Sequence, residues 1–229
     1  MTLPEDNIQW FRDRLLIWAK QYSRDYPWRE TNNSYHILVA EFLLQRTDAD
    51  TVKPVYETFL TRYPTLDKLA KAQVEDIEKL MQPLGLFFRA QRLRETAKII
   101  VEQYQKQIPT EEQELLKLPG IGKYTARAIC SQAFKQPAAV MDTNVARILE
   151  RFFGIEGERV KSRCKILWNA ADIIAPRSEV KSWNLTLLDF GALVCTARSP
   201  KCFDCPLSKR CCWLQHSLND VANLKYETE

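Results

Sequence analysis

The sequence predicts an all-α protein, on three observations: only 6 glycines in 229 residues, a charged fraction of 27%, and apolar positions recurring at helical spacing along most of the chain. A turn-rich β architecture would need more glycine and an alternating pattern. The first helix is expected over Trp10–Tyr22, ended by the turn-like Arg24-Asp25-Tyr26-Pro27 ahead of Trp28 and Arg29. Ser34 is placed as the cap of a very apolar helix over Tyr35–Gln45. Asp48–Tyr63 reads as the next, Thr65 caps a short one, Val74–Met81 follows, and Phe87–Gln105 is long with a basic first turn. Thr110 stands ahead of Glu111–Leu118, which enters the tight turn Pro119-Gly120-Ile121-Gly122, and Lys123–Phe134 leaves that turn as a helix. Asp142 precedes a helix over Thr143–Phe153, and Arg163–Ala175 and Glu179–Val194 complete the set.

With 45% hydrophobic residues and no low-complexity stretch, the chain can bury one sizeable core or two small ones. Met1–Asn7 is polar and acidic with no apolar region behind it, and no apolar run approaches the ~20 residues a membrane span needs. A cytoplasmic protein without membrane contact is therefore expected. A net charge of +4 permits an anionic partner without requiring one. Among 7 cysteines, Cys195, Cys202, Cys205 and Cys211 form a C-x6-C-x2-C-x5-C run, a clustering that in a reducing compartment favours a metal over disulfides. Cys130 and Cys164 read as helix-core thiols and Cys212 as a bystander.

Two glycines, Gly120 and Gly122, sit where the backbone must approach something closely or take positive φ, immediately before a helix N-terminus. With Lys123 and the helix dipole, their N–H groups suit one phosphate; a simple helix–helix connector fits the glycines equally well. Asp142 suits an N-cap by type and position, and a capping aspartate is also a rigid carboxylate available for chemistry. Glu41 stands alone in Ile37-Leu38-Val39-Ala40-Glu41-Phe42-Leu43-Leu44, where a carboxylate has a task or a partner, or marks the outer edge of its helix together with Gln45 and Asp48.

The run Leu118-Pro119-Gly120-Ile121-Gly122-Lys123-Tyr124-Thr125-Ala126 resembles the helix-hairpin-helix of the endonuclease III superfamily of base-excision DNA glycosylases, followed there by a Gly/Pro-rich loop and an aspartate. Here Gln136-Pro137-Ala138-Ala139-Val140-Met141 and Asp142 stand in those places, and the resemblance runs over residues 28–212. It implies a six-helix barrel domain over residues 32–141 ending in the hairpin, a helical iron–sulfur cluster domain from residues 1–31 and 142–212, a tail over 213–229, and DNA entering a cleft between the domains. The cysteine run, with Pro200, Lys201 and Pro206 inside it, resembles the family's [4Fe–4S] loop, a zinc site with four cysteines being the alternative for that spacing. Arg198, Lys201, Lys209 and Arg210 would make it a basic knob on DNA. By the same resemblance the carbonyls of Leu116, Leu118 and Ile121 hold a monovalent cation.

Cleaving a nucleoside's C1′–N bond builds positive charge on the sugar, so the chemistry needs a carboxylate near C1′ and a way to stabilise the departing base. The resemblance assigns the first task to Asp142 and aligns Glu41 with the base-pocket glutamate. Where endonuclease III carries a lysine that attacks C1′, this chain has Tyr124, which implies base removal without strand cutting; Lys123, about 100° round the helix, is left to face phosphate. By the same resemblance, Gln45-Arg46 and Leu86-Phe87 fall at the wedge positions that fill the space of a flipped base. Gln45-Arg46-Thr47, Leu86-Phe87 and Asp142-Thr143-Asn144 depart from the adenine-specific branch and look more like the thymine/uracil mismatch glycosylases, as do Arg151-Phe152-Phe153-Gly154 and Asp189-Phe190. The expected function is a monomeric, monofunctional glycosylase acting on thymine or uracil opposite guanine in double-stranded DNA. Adenine removal opposite guanine or 8-oxoguanine is the second reading, and a non-catalytic DNA-binding module the third.

Overall fold

The computed structural model describes residues 3–85 and 87–216, and every helix or strand assigned among them is helical. In chain order the α-helices are α1 (Glu5–Tyr22), α2 (Pro27–Glu30), α3 (Ser34–Leu43), α4 (Ala49–Arg62), α5 (Leu66–Ala70), α6 (Val74–Met81), α7 (Phe88–Gln103), α8 (Glu112–Leu115), α9 (Lys123–Phe134), α10 (Thr143–Phe153), α11 (Lys165–Ile174) and α12 (Val180–Leu193). The chain divides into a central unit, Asp25–Ala138, and a terminal unit made of Met1–Arg24 with Ala139–Glu229. The first boundary between these units falls between Arg24 and Asp25. The reason is aromatic packing: Tyr26 stacks on Trp28 at 4.8 Å and Trp28 meets Tyr56 edge-on at 5.4 Å, tying this stretch into the central core.

α3 is the middle of the central unit. Residues 37–43 are all buried, and a helix without a polar stripe is stable only when other helices surround it. α4, α7 and α9 pack against it. Its cap is Asn33 rather than Ser34: the Asn33 side-chain oxygen accepts from the amides of Tyr35 (2.9 Å) and His36 (3.3 Å), because the helix begins one residue earlier than expected and Ser34 is already helical. Thr65 caps α5 as expected, while Asp48, read as the first residue of its helix, is instead the N-cap of α4. α8 ends at Leu115, short of the expected Leu118. There the chain tightens, the Leu118 amide reaching Leu115 O and the Ile121 amide Leu118 O, to enter the hairpin. Thr110 caps nothing; its carbonyl accepts from Gln136 Nε2 at 3.0 Å.

In the terminal unit α1 buries Ile8, Phe11, Leu15 and Trp18, a single stripe at helical spacing. Phe11 lies 4.7 Å from the Phe152 ring and 5.1 Å from that of Phe153, and truncating such a side chain costs about 3–5 kcal/mol. The Arg12 guanidinium donates to the carbonyls of Ile173, Ile174 and Ala175, satisfying the open C-terminal end of α11. Arg24 pairs with the buried Asp189 at 2.6 Å. No helix among the described residues is long and apolar enough to cross a membrane.

Candidate functional site

The hairpin between α8 and α9 is shaped by two glycines with different reasons to be glycine. Gly120 has φ +80°, and a Cβ there would lie 2.8 Å from Phe42 Cε1, so both backbone conformation and the buried Phe42 ring exclude a side chain. Gly122 has φ −98° and open space where a Cβ would go. Nothing in the protein's own packing requires it to be bare. It caps α9 with no side-chain oxygen, no acidic residue follows in the first turn, and among the described residues the amides of Gly120 and Gly122 reach no acceptor. With exposed Lys123 beside them, these groups make an uncapped helix N-terminus suited to an external anion. Of the carbonyls expected around a cation, that of Leu118 accepts the Ile121 amide at 3.2 Å.

α9 lies against α3 and carries a residue the sequence reading missed. Gln132 Nε2 donates to Glu41 Oε1 at 3.0 Å, and both side chains are buried. Burial pushes the Glu41 carboxyl up from an ordinary 4.5 to about 7, the Gln132 bond pulling the other way. Glu41 is therefore an interior carboxyl with a donor, not the edge of a solvated stripe. Since its folded pKa lies above the unfolded one, the cost of burying it is full above pH 7 and fades as pH falls toward 4.5. Glu41→Gln, with the charge removed and the hydrogen bond kept, should melt higher than wild type at pH 8.5 and equally near pH 4, a difference of at most about 3 kcal/mol. Equal melting at both pH values would show that the carboxyl is not held away from water.

Tyr124 is half-buried in the first turn of α9. At the end of α3 exposed Arg46 has φ +57°, and Gln45 turns its side chain inward, Nε2 donating to the Gly120 carbonyl at 3.0 Å. Phe87 is 51% exposed at the start of α7, as a wedge residue must be. Leu86 lies outside the described residues.

Asp142 belongs to the terminal unit and is the N-cap of α10. Its Oδ1 accepts from the amides of Asn144 and Val145, each at 2.8 Å, while Oδ2 accepts from Asn144 Nδ2 at 2.8 Å. Burial raises its pKa above the usual carboxylate value, against these bonds and the nearby Arg147 charge. Arg147 extends the arrangement, donating to Asn144 Oδ1 at 2.8 Å and, through Nε, to the Cys195 carbonyl at 2.7 Å. Capping and a fixed carboxylate thus coexist in one side chain.

Cys195, Cys202, Cys205 and Cys211 are unbridged and partly buried. Burial raises the Cys205 thiol, and the charges of Cys195, Cys211 and Cys202 push it the same way, so the four sulfurs share one neighbourhood. Among the described residues no three potential ligands converge as they would on a single metal ion. By donor chemistry, four thiols on one loop suit an iron–sulfur cluster or a zinc ion. Arg151 braces the loop from α10, donating to Thr196 O at 2.7 Å and to Cys195 Sγ at 3.5 Å. Phe203 and the side chains of Arg198 and Lys201 are exposed on it.

Two glycines with bared amides in the turn between α8 and α9 place the chain among helix-hairpin-helix proteins. The family model of the HhH-GPD superfamily base excision DNA repair proteins matches residues 39–171, over half of the chain, and the chain belongs to that superfamily. It is 37% identical over 206 residues, 90% of this chain and 93% of the relative, to the thymine/uracil-DNA glycosylase of Methanothermobacter thermautotrophicus. An adenine DNA glycosylase of Buchnera aphidicola subsp. Schizaphis graminum is 36% identical over 203 residues, 88% of this chain and 58% of that protein. The solved structure of a thermostable thymine-DNA glycosylase superposes with a TM-score of 0.88 at 35% identity, over 92% of this chain and 98% of that one. The resemblance to base-excision glycosylases and the all-helical fold are both borne out.

Proposed function

We propose that this chain is a monofunctional DNA glycosylase that hydrolyses the N-glycosidic bond of thymine or uracil mispaired with guanine. The observation that carries this is the Asp142 carboxylate, held in one orientation by three hydrogen bonds, in a chain similar over nine-tenths of its length to a thymine/uracil-DNA glycosylase. A carboxylate so fixed stabilises positive charge developing at C1′ and orients the attacking water without reorganising during the reaction. Glu41, poised near neutrality, gives a proton or a strong hydrogen bond to the departing base, and Gln132 holds it for that task.

Gly120, Gly122 and Lys123 grip one phosphate of double-stranded DNA without reading sequence. Gln45, Arg46, Leu86 and Phe87 fill the space of the flipped nucleotide. Tyr124 lines the base pocket and offers no amine, so no Schiff base forms and the abasic strand stays intact. Cys195, Cys202, Cys205 and Cys211 would hold a [4Fe–4S] cluster whose contribution is to close their loop, and the carbonyls of Leu116, Leu118 and Ile121 a monovalent cation. The protein acts as a monomer.

Excision assays on T:G, U:G, A:G and A:8-oxoguanine duplexes test the reading. Thymine and uracil release is expected, with uncut abasic strands and less borohydride-trapped adduct than endonuclease III gives. Preferential adenine release would replace the substrate assignment, and efficient trapping would overturn the assignment of Tyr124.

A further inference from the structure

Arg89 is fully buried, yet its guanidinium has no acidic partner among the described residues. It sits in the first turn of α7, where a cation opposes the helix dipole, and burial lowers its pKa. Local rules therefore disfavour it, and such violations mark positions with a task.

Its partners say what the task is. Nη1 donates to the carbonyls of Phe42 (3.3 Å), Leu43 (2.8 Å) and Gln45 (2.9 Å) and to Thr47 Oγ1 (3.2 Å), gathering the open C-terminal end of α3. Nη2 donates to the carbonyls of Leu84 (3.0 Å) and Gly85 (2.8 Å). One planar fork thus spans two loops more than 35 residues apart in sequence, as their numbering shows.

Each gripped loop also holds a residue at positive φ. Arg46, between Gln45 and Thr47, has φ +57°; Gly85 has φ +66° and ψ −167°, a conformation essentially closed to other residues although space for a Cβ is open. Such backbones persist where the surroundings over-determine them. Gln45 adds a third segment by bonding to the Gly120 carbonyl.

We propose that Arg89 is a positioning residue that locks residues 43–47, residues 84–85 and, through Gln45, the Gly120 turn into one preorganised edge for gripping DNA around a flipped nucleotide. This rests on the glycosylase reading for its purpose, though not for its geometry. Positioning of this kind acts on excision through preformed loops, without touching substrate.

Arg89→Lys keeps a charge but cannot span both loops. It is expected to speed hydrogen exchange about tenfold or more at residues 44–47 and at Gly85 together, and to lower single-turnover excision from a U:G duplex about tenfold. Arg94→Met is the control, since Arg94 Nε donates to Ala72 O at 2.7 Å on the same helix but away from these loops; it should cost stability while leaving both readouts near wild type. If Arg89→Lys does not fold, Thr47→Val, which removes one acceptor of the fork, carries the same comparison at smaller amplitude. Loosening of one loop alone, unchanged exchange, or an equal response in Arg94→Met overturns the proposal. Wild-type protein inactive on every mismatch would refute the glycosylase reading, and the exchange result would still decide the role of Arg89.

Discussion

Asp142→Asn is expected to lower single-turnover excision by about 10²–10⁴-fold while leaving the protein folded and bound to mismatched DNA. The separation follows from the geometry. Asparagine is as good an N-cap as aspartate, and its side-chain oxygen can still accept the amides of Asn144 and Val145, so α10 keeps its start. What disappears is the negative charge that answers the sugar's developing positive charge. Asp142→Ala should lose the same activity and about 1 kcal/mol of stability besides. Excision by Asp142→Asn within a few-fold of wild type would reduce Asp142 to a cap. A wild-type protein that binds mismatches without turnover would support the plain DNA-binding module instead.

Purified protein is expected to be brown and to contain iron, and Cys205→Ser should lose that iron and melt about 6–12 °C lower, the shift that roughly 3 kcal/mol produces in a chain of this size. The loop from Cys195 to Cys211 makes mostly turn-like local bonds, such as Cys205 N to Cys202 O and Arg210 N to Leu207 O, and of its residues only Leu207 is buried. It has no core of its own, so ligation is what would close it. Metal analysis with visible absorption decides the point. Colourless protein containing zinc would replace the cluster with a zinc site, and unchanged iron in the serine variant would remove Cys205 from the ligand set.

The legible part of the site was the part written in short-range patterns. Gly120, Gly122 and Lys123 follow one another, Asp142 immediately precedes its helix, and the four cysteines lie within one loop, so sequence spacing placed each of them. Glu41 was visible as a carboxylate in an apolar run, but its partner was not. Gln132 is 91 residues away and looks like any polar residue near the end of a helix. It falls eight residues after Tyr124, about 80° round the helix from it, and its role emerges only once α9 lies against α3. Arg89 was hidden more completely, in a basic run, Arg89-Ala90-Gln91-Arg92, that reads as a solvated face.

By itself, then, the sequence determined most of the helices, the caps Thr65 and Asp142, the hairpin and the cysteine loop, because periodicity, capping and turn chemistry act within a few residues. Tertiary structure decided that Glu41 shares a proton-holding interior with Gln132, that Gln45 serves the hairpin backbone, that Arg147 joins Asn144 to the Cys195 carbonyl, and that Arg89 fastens two loops. Those choices depend on which carbonyls and side chains arrive from distant segments. A buried polar group has no preference among residues until packing removes water and leaves it only those partners.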